Sequence, residues 1–522
     1  MKRFLYLLHR WAGIALCLVM ALWFLSGMVM LYVGYPKLTP AEQLQGLPAL
    51  EGPGCCVPLA QALQASGLEG ASQWRLSSVA GQPRYVFSDG RGKRLVAVDA
   101  RSGQRISSVS ADQALAAARH FAQDVPAELL AQVEEDAWTH SKAMDPHRPL
   151  YRVAVADEAQ RWLYVSGATG EVVRDASFTE RSWGWLGAWL HWLYIFRGGA
   201  VDAWWTDIVI WLSIAGGVLG LSGLVVGVWR WRFKGRYKSG SRSPYREGFA
   251  RWHHILGLGG GVLALTWVLS GLFSMNPWKV FETPGPKPDR AAYAGGPLRA
   301  DQAGDVGALL RRLASEGQPA RQLEWRRVAG EMQVLVQTGA ASYAVDPNGE
   351  RRPAWSDAAM REAAARLLPQ ARIARQEWLQ RYDAYYYSRE PHTMTGQRER
   401  PLPVLRLRFD DPQSHWVVID PANGHIVQLS SSRQRTERWL FAFLHSFDLP
   451  LFLNTRPLWD GWMLGFSLAG LGLSLSAVVL AWRRLRGTGR RPRSSAKTPI
   501  LVGPHAAASV LTSSSPLKEE PR

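Results

Sequence analysis

Apolar residues are clustered along this chain into four long runs, which are separated by stretches of mixed polarity. The runs cover residues 11–33, 208–229, 255–275 and 462–482. Each is close to the roughly 20 residues that an α-helix needs to cross about 30 Å of hydrocarbon. The pattern therefore predicts four transmembrane helices, and the slightly negative mean hydropathy reflects the polar regions between them.

The two long stretches between the runs predict α+β domains with antiparallel sheets. A strand-like run followed by a turn recurs at residues 98–103, 166–170, 345–349 and 419–424. Asp, Pro, Asn and Gly are β-turn residues, and glycine supplies a positive φ. Helical stretches at 111–121 and 358–368 lie between such strands, so each domain is expected to combine helices with a sheet.

Basic residues predict the orientation of the helices. They crowd the N-terminus at Lys2, Arg3 and Arg10, the loop at 230–251, and the segment after Arg483. With four spans these clusters share one side, and the positive-inside rule makes both termini and the loop cytoplasmic. The first run is too long for a cleavable signal peptide and no small-residue cleavage pattern follows it, which favours a retained anchor.

These features divide the chain into ten segments. In order they are a first membrane helix with an N-terminal histidine (1–33), a periplasmic domain (34–181), an aromatic interfacial helix (182–197), a second membrane helix (206–232), a basic cytoplasmic loop (233–251), a third membrane helix (252–275), a second periplasmic domain (276–437), a second aromatic interfacial helix (438–448), a fourth membrane helix (460–483) and a disordered cytoplasmic tail (484–522). The tail is rich in Arg, Ser, Pro and Lys, which is typical of a solvated chain end.

Recurring motifs indicate an internal duplication. LHRWAG at 8–13 leads to LSG at 25–27, and WHHILG at 252–257 leads to LSG at 269–271 with the same spacings, so His253 rather than His254 matches His9. Before the other two spans, WLGAWLH ends at His191 and WLFAFLH ends at His445. Each half is thus predicted to contain a span, a large domain, an aromatic helix with a histidine, and a second span.

These residues resemble the PepSY-associated transmembrane family, which includes iron-regulated inner-membrane proteins and periplasmic ferric-siderophore reductases. The resemblance rests on the Leu-His-Arg-Trp-x-Gly start, the two Leu-His elements and the Asp-Pro-x-Asn/Thr-Gly turns, and it covers nearly the whole chain before the tail. It implies PepSY-like periplasmic domains in a bacterial inner-membrane protein. It also implies a di-haem reductase that moves electrons from the cytoplasmic side to a periplasmic ferric complex.

Four histidines at matching positions are the candidate axial ligands of two haem b groups. A histidine in a membrane span is costly and usually faces a functional interior, and haem iron with two axial histidines needs facing pairs. His9 and His253 lie at the cytoplasmic ends of outward-running spans, whereas His191 and His445 precede inward-running spans at the outer face. The expected pairs are His9 with His253, and His191 with His445. His254 competes with His253, because adjacent helix residues point about 100° apart.

Glycines on the same helical faces are expected to leave room for a flat porphyrin. Gly13 and Gly257 follow their histidines by four residues, and therefore lie one turn deeper. Gly27 and Gly271 follow by 18 residues, which is five turns and about 27 Å of rise. The alternative interpretation is that these glycines only allow the helices to pack closely.

The second periplasmic domain contains a candidate contact surface for a ferric siderophore or another anionic or aromatic ferric chelate, because arginines and aromatic rings suit such ligands. Its residues are Tyr385, Tyr386, Tyr387, Arg389, Arg398 and Arg400. The short cytoplasmic parts contain no Rossmann glycine fingerprint that follows a strand. A partner protein, a flavin reductase or a quinol is therefore expected to supply the electrons.

Other functions are weaker interpretations of the same sequence. A membrane-anchored regulator that binds or inhibits peptidases is the main rival, and haem pigment would distinguish the two. Transport ranks third because the spans contain almost no acidic residues. The net charge of +18 does not indicate a nucleic-acid partner, since much of the excess flanks membrane spans.

Overall fold

The structure is a computed structural model that describes residues 1–50, 54–90, 92–393, 396 and 400–487. The described residues of Met1–Ala481 form one compact unit. Most of the predicted disordered tail, from residue 488 onward, lies outside the described residues, and so does Arg398.

Four helices in the described part of the chain are long and apolar enough to cross a membrane, as the sequence predicts. The helices are α1 (Lys2–Met30), α2 (Pro40–Gly46), α3 (Leu59–Ser66), α4 (Ala111–Phe121), α5 (Phe178–Gly184), α6 (Trp205–Arg230), α7 (Phe249–Ser274), α8 (Arg290–Ala294), α9 (Val306–Ser315), α10 (Asp357–Ala365), α11 (Ser432–Arg438), α12 (Leu444–Ser446), α13 (Pro450–Leu453) and α14 (Arg456–Leu485). The membrane helices are α1, α6, α7 and α14. The chain is therefore a multi-pass membrane protein.

Small residues allow the membrane helices to pack closely. A Cβ added at Gly216 of α6 would lie 3.2 Å from the side chain of Val268 on α7. At Gly470 of α14 it would lie 2.3 Å from the ring of Phe24 on α1. Lipid chains leave no hydrophobic driving force between helices, so close van der Waals contact at such positions holds the bundle together.

Fifteen strands in the described residues form three antiparallel sheets. They are β1 (Ala71–Val79), β2 (Gln82–Asp89), β3 (Leu95–Asp99), β4 (Arg105–Ile106), β5 (Ala127–Val133), β6 (Leu150–Val155), β7 (Trp162–Ser166), β8 (Val172–Ala176), β9 (Gln322–Val328), β10 (Glu331–Gln337), β11 (Ser342–Val345), β12 (Ile373–Leu379), β13 (Val404–Phe409), β14 (Trp416–Asp420) and β15 (His425–Ser430). The strand orders are β11-β10-β9-β1-β2-β3-β4, β5-β6-β7-β8 and β12-β13-β14-β15.

The seven-stranded sheet joins the two large regions, which lie between α1 and α6 and between α7 and α14. Strand β1 of the first region pairs antiparallel with β9 of the second, and Trp74 lies opposite Trp325. Both indole rings are buried in the core that this sheet shares with α3 and α9. The sequence predicts a separate sheet in each region, and that expectation is incomplete. Pairing between strands so far apart in the chain leaves no trace in local periodicity.

One four-stranded sheet packs against α4, and the other packs against α10 and Tyr293 of α8. The residues Ala111–Phe121 form α4 as predicted, and the hydroxyl of Ser110 and the amide of Gln113 form a capping box at its start, which satisfies free backbone N–H groups. The second predicted helix is α10, which ends at Ala365 rather than at 368. The glycines of the four predicted turns all have positive φ, at Gly103, Gly170, Gly349 and Gly424.

Two aromatic elements lead from the sheets toward the membrane helices. Both are π-helical, over Trp185–Trp189 and Trp439–Phe443. The wider π-turn is rare and is often found at functional sites. Shortly after each element the backbone adopts a left-handed conformation, with φ of 54° at Leu193 and 50° at Phe447. The histidines at 191 and 445 therefore lie between an unusual helix and an unusual turn in both halves.

Candidate functional site

The four predicted histidines form two pairs in the structure. The rings of His9 on α1 and His253 on α7 have centres 6.2 Å apart. The rings of His191 and His445 have centres 6.1 Å apart. We call the first two residues the loop-side pair, because they lie near the ends of α6 and α7 that the 231–248 loop connects, and the second two the domain-side pair. The pairs are those that the sequence predicts.

The two pairs lie at different depths in the bundle. Ser26 of α1 contacts His191, and it follows His9 by 17 residues of continuous helix. At 1.5 Å per residue this corresponds to about 25 Å along the helix axis. Ser270 and His253 have the same separation on α7, and Ser270 contacts His445. The bundle therefore contains two imidazole pairs near its opposite ends.

Serine hydroxyls fix the domain-side pair in one tautomer. Ser26 donates its hydroxyl hydrogen to the carbonyl of Trp23 at 3.2 Å, so its oxygen accepts from Nδ1 of His191 at 3.1 Å. Ser270 donates to the carbonyl of Trp267 at 2.9 Å and accepts from Nδ1 of His445 at 3.0 Å. Both imidazoles thus carry their hydrogen on Nδ1, and the lone pair is on Nε2.

Backbone carbonyls fix the tautomer of the loop-side pair. Nδ1 of His9 lies 3.3 Å from the carbonyl oxygen of Leu219, which can only accept. Nδ1 of His253 lies 3.3 Å from the carbonyl oxygen of Leu473 and 3.1 Å from the hydroxyl of Ser476. Histidines that bind a metal typically donate the other ring nitrogen to a partner of this kind, which fixes the tautomer and the ring orientation.

The geometry of both pairs fits an iron atom between two axial imidazoles. A metal ion binds an imidazole nitrogen at about 2.0 Å, so two rings on one iron have centres about 6 Å apart. Among the described residues, none donates or accepts a hydrogen bond at Nε2 of these four histidines. The ring centres of each pair therefore lie at the separation that two histidine ligands of one haem iron would require, and Nε2 of each ring has no hydrogen-bond partner among the described residues.

His254 has the opposite hydrogen-bonding pattern. Its Nε2 lies 2.9 Å from the carbonyl oxygen of Gly227 and must donate to it. Its Nδ1 then accepts from the hydroxyl of Ser243 at 2.8 Å. With both ring nitrogens occupied, His254 offers no lone pair to a metal. This arrangement favours His253, as does the spacing in the sequence.

The four predicted glycines border the pairs in two ways. A Cβ at Gly27 would lie 3.5 Å from Cε1 of His191, and one at Gly271 would lie 3.7 Å from Cε1 of His445. At Gly13 and Gly257 it would instead meet a leucine side chain, at 3.7 Å in both cases. All four distances are ordinary van der Waals contacts, so an added methyl group would touch its neighbour at each position without displacing it.

One residue that contacts the loop-side pair was not predicted. A Cβ at Gly223 of α6 would lie 2.7 Å from Cε1 and 3.1 Å from Nδ1 of His9. The position is occupied by a glycine in an apolar helix that contains several others, and the matching position in α14 is Ala477. Neither periodicity nor the internal repeat could therefore single it out.

The predicted chelate surface is only partly exposed. Tyr386 is fully buried, and its hydroxyl donates to the carbonyl of Pro401, so the prediction that it contacts a ligand at the surface is wrong. The hydroxyl of Tyr385 accepts a hydrogen bond from the indole of Trp439. The guanidinium of Arg400 lies over the ring of Tyr386. The tyrosines therefore serve mainly as packing residues between the second large region and the aromatic element.

Tyr387 and Arg389 contact a buried carboxylate that the sequence analysis missed. Both donate to Oδ2 of Asp448, at 3.2 Å each. Asp448 is fully buried, and burial raises the pKa of its carboxyl group. It follows His445 by three residues, so this cluster joins the second large region to the domain-side pair. An isolated Asp in an aromatic segment has no sequence pattern that would have identified it.

Comparison with known proteins gives the family. No curated protein matches the sequence significantly. The family described as the PepSY-associated TM region matches residues 6–332, a range that includes His9, His191 and His253 but not His445. Because this match covers more than half of the chain, the protein belongs to the family with a PepSY-associated transmembrane region.

Proposed function

We propose that the loop-side and domain-side pairs each hold one haem b, and that the protein is a transmembrane electron carrier. One observation supports this above all others. Four imidazoles are held in the Nδ1–H tautomer by hydrogen bonds, and they lie in two pairs with ring centres 6.2 and 6.1 Å apart. Haem iron with two histidine ligands supplies one-electron redox chemistry.

The protein's own residues would position and tune such a group. Ser26, Ser270 and the carbonyl of Leu219 orient the imidazoles and increase their basicity through Nδ1, which is the usual role of partners behind a metal ligand. Gly27 and Gly271 place no side chain against the rings of His191 and His445, where an added Cβ would already be in contact.

The proposed orientation follows from charge. Basic residues flank the bundle at the end of the loop-side pair, in the N-terminus and in the 231–248 loop, and such residues favour the cytoplasmic side. The domain-side pair then lies at the periplasmic face of a bacterial inner membrane, beneath both large regions. Exposed tryptophans occur near both ends of the bundle, including Trp11, Trp252, Trp204 and Trp278, as expected for membrane interfaces.

The proposed reaction is the one-electron reduction of a ferric siderophore or another ferric chelate in the periplasm. Ferrous iron prefers different ligands from ferric iron, so reduction would release the metal for uptake. Tyr387 and Arg389 lie between the second large region and the domain-side pair, which makes that rim the proposed place for the chelate. The electron would come from a cytoplasmic protein, a flavin reductase or a quinol.

An optical spectrum of the purified protein tests the haem proposal. Reduced-minus-oxidised spectra with quantified haem should show two low-spin haems per chain. Protein that binds no haem at near-stoichiometric levels would overturn the proposal, and a membrane-anchored regulator that binds peptidases would then be the better interpretation.

Reoxidation tests the acceptor. Protein reduced with dithionite should be reoxidised anaerobically by a ferric siderophore in the presence of a ferrous trap, and His445→Ala should slow that step while the loop-side haem remains reducible. Equal rates with every small ferric chelate would exclude specific recognition. Absence of reoxidation by any chelate would exclude the reductase function.

A further inference from the structure

The loop between α6 and α7 presents an exposed basic surface. We call residues 231–248 the basic loop. Its exposed basic side chains are Arg232, Lys234, Arg236, Lys238, Arg242 and Arg246, and Glu247 is its only acidic residue. Charge of this kind is common on the cytoplasmic flank of a membrane helix, where it determines topology. Its presence alone therefore indicates no further role.

The loop, however, has a defined conformation. The backbone N–H of Arg232 donates to the carbonyl of Arg242 at 3.1 Å, and that of Tyr237 donates to Ser241 at 2.9 Å. The hydroxyl of Tyr237 reaches back to the carbonyl of Arg230 at 2.9 Å. These bonds tie the two arms of the loop together. The basic side chains are consequently displayed from a fixed backbone.

A buried hydrogen-bonded chain anchors the loop to the bundle. The hydroxyl of Ser243 donates to Nδ1 of His254 at 2.8 Å, and Nε2 of His254 donates to the carbonyl of Gly227 at 2.9 Å. Ser243 is 1% exposed and His254 is 6% exposed. The ring of Tyr245 packs edge-on against the same imidazole. A topology determinant needs charge but no particular conformation, so positive-inside sorting does not account for this anchor.

The anchor lies directly beside the loop-side pair. His254 is the neighbour of His253 in α7, and its ring contacts both the loop and the last turns of α6. The basic surface is therefore held in a fixed position next to the predicted haem ligand. Such an arrangement suits a partner that must approach that ligand closely and in one orientation.

We propose that the basic loop is the docking site of a small acidic one-electron carrier protein, which supplies electrons to the loop-side pair. This inference rests on the proposed function. Complementary charge steers a partner to its site and raises the association rate. It also makes the interaction weaken as salt screens it. A quinol would approach from the lipid and would not need a charged aqueous surface.

Binding and electron transfer with flavodoxin, an acidic one-electron carrier, test the proposal on the full-length haem-loaded protein in nanodiscs of neutral lipid. Flavin fluorescence gives the Kd of oxidised flavodoxin, which should rise about tenfold between about 30 and about 300 mM salt. Stopped-flow absorbance gives the rate at which photoreduced flavodoxin reduces the loop-side haem. That rate should fall with salt in the same way.

Variants separate the contributions of charge and conformation. Lys234→Glu with Lys238→Glu should weaken flavodoxin binding by about tenfold or more, whereas Arg361→Glu, a charge reversal at an exposed position of α10, should not. Ser243→Ala removes the anchor without changing charge and should slow flavodoxin-driven reduction several-fold. Reduction by dithionite and total haem should be unchanged in all three. A reporter at residue 241 checks that the topology is retained.

Other results would overturn the docking proposal without affecting the haem assignment. They are a Kd and rate that do not depend on salt, no reaction with flavodoxin, or loop variants that behave as wild type while dithionite still reduces both haems. If anionic lipid in the nanodisc abolishes flavodoxin binding and the loop variants reverse this effect, the loop binds lipid headgroups instead. A protein without haem would instead refute the proposed function.

Discussion

Replacing Gly223 by alanine should disrupt the loop-side pair specifically. The added Cβ would lie 2.7 Å from Cε1 of His9, whereas carbon atoms in favourable contact lie about 3.5 Å or more apart. The ring must therefore move by roughly 0.8 Å or the helices must separate. Metal–ligand distances tolerate only about 0.2 Å. In the proposed haem site, His9 should therefore be lost as a ligand of the iron.

The same contact sets the expected loss of folding stability and the expected fraction of haem affected. Overpacking of this size costs about 1–3 kcal/mol when the surroundings relax, so the protein should still fold. The hydrogen bond from Nδ1 of His9 to Leu219, at 3.3 Å, is already long, and a moving ring would break it. About half of the haem should become high-spin or be lost, because only one of two sites is affected.

Absorption and electron paramagnetic resonance spectra give the low-spin fraction for a graded series of variants. Gly27→Ala places a Cβ 3.5 Å from His191, and Gly259→Ala places one in open space. We expect little change for the first and none for the second. If Gly223→Ala has a wild-type spectrum and full haem content, His9 is not an iron ligand. The assignment of the loop-side pair would then have to be abandoned.

Three further predictions concern the choice between His253 and His254, a serine that contacts the domain-side pair, and a buried carboxyl group. His253→Ala should remove or convert one haem to high spin while His254→Ala retains both; the reverse result in haem quantification would show that the ligand register is wrong. Ser270→Ala removes the oxygen that accepts a hydrogen bond from Nδ1 of His445. This should lower the basicity of that imidazole and shift the midpoint potential of one haem only, as measured by spectroelectrochemistry. An unchanged potential would mean that the serine does not tune the site. Asp175, outside the membrane helices, has a pKa raised to about 7 by burial and by nearby Glu180 and Glu42. Because this folded-state pKa lies above the unfolded one, the free energy of unfolding should fall as pH rises from about 4 to about 7. Asp175→Asn should therefore raise the melting temperature of the large regions at pH 8 but not at pH 4, as followed by tryptophan fluorescence.

Local sequence was sufficient to predict the features that depend on near neighbours. The membrane helices follow from runs of apolar residues, and α4 was predicted over the residues that form it, 111–121. The turn at Gly424 follows from Asp-Pro-Ala-Asn-Gly, and the glycine there has φ of 65°. In each case the residues that determine the structure lie within a few positions of one another.

Repeated motifs extended the prediction to long-range contacts. Nothing local to His9 indicates His253, but matching positions in two halves implied that they share a depth, and their ring centres are 6.2 Å apart. The repeat gives no information at positions where the two halves differ. Gly223 corresponds to Ala477, and Asp448 corresponds to Tyr194, so neither belongs to a recurring motif.

Contacts between distant, dissimilar segments could not be predicted at all. Tyr386 looked like part of an exposed aromatic cluster, but its burial depends on packing against Val404 of β13 and Val418 of β14. Aromatic content alone does not distinguish a surface from a core. The pairing of β1 with β9 likewise depends on the way the complete bundle brings the two regions together.

The sheet that joins β1 to β9 also constrains how the protein is made. Strand β1 is complete at Val79, whereas β9 begins at Gln322, and ribosomes add about 5–20 residues per second. The pairing edge of β1 therefore waits for roughly 10–50 s while two further helices enter the membrane. An unpaired strand edge is prone to aggregation. Biogenesis of this protein thus includes a period in which its first half must be shielded from other chains, until the second half arrives and closes the edge.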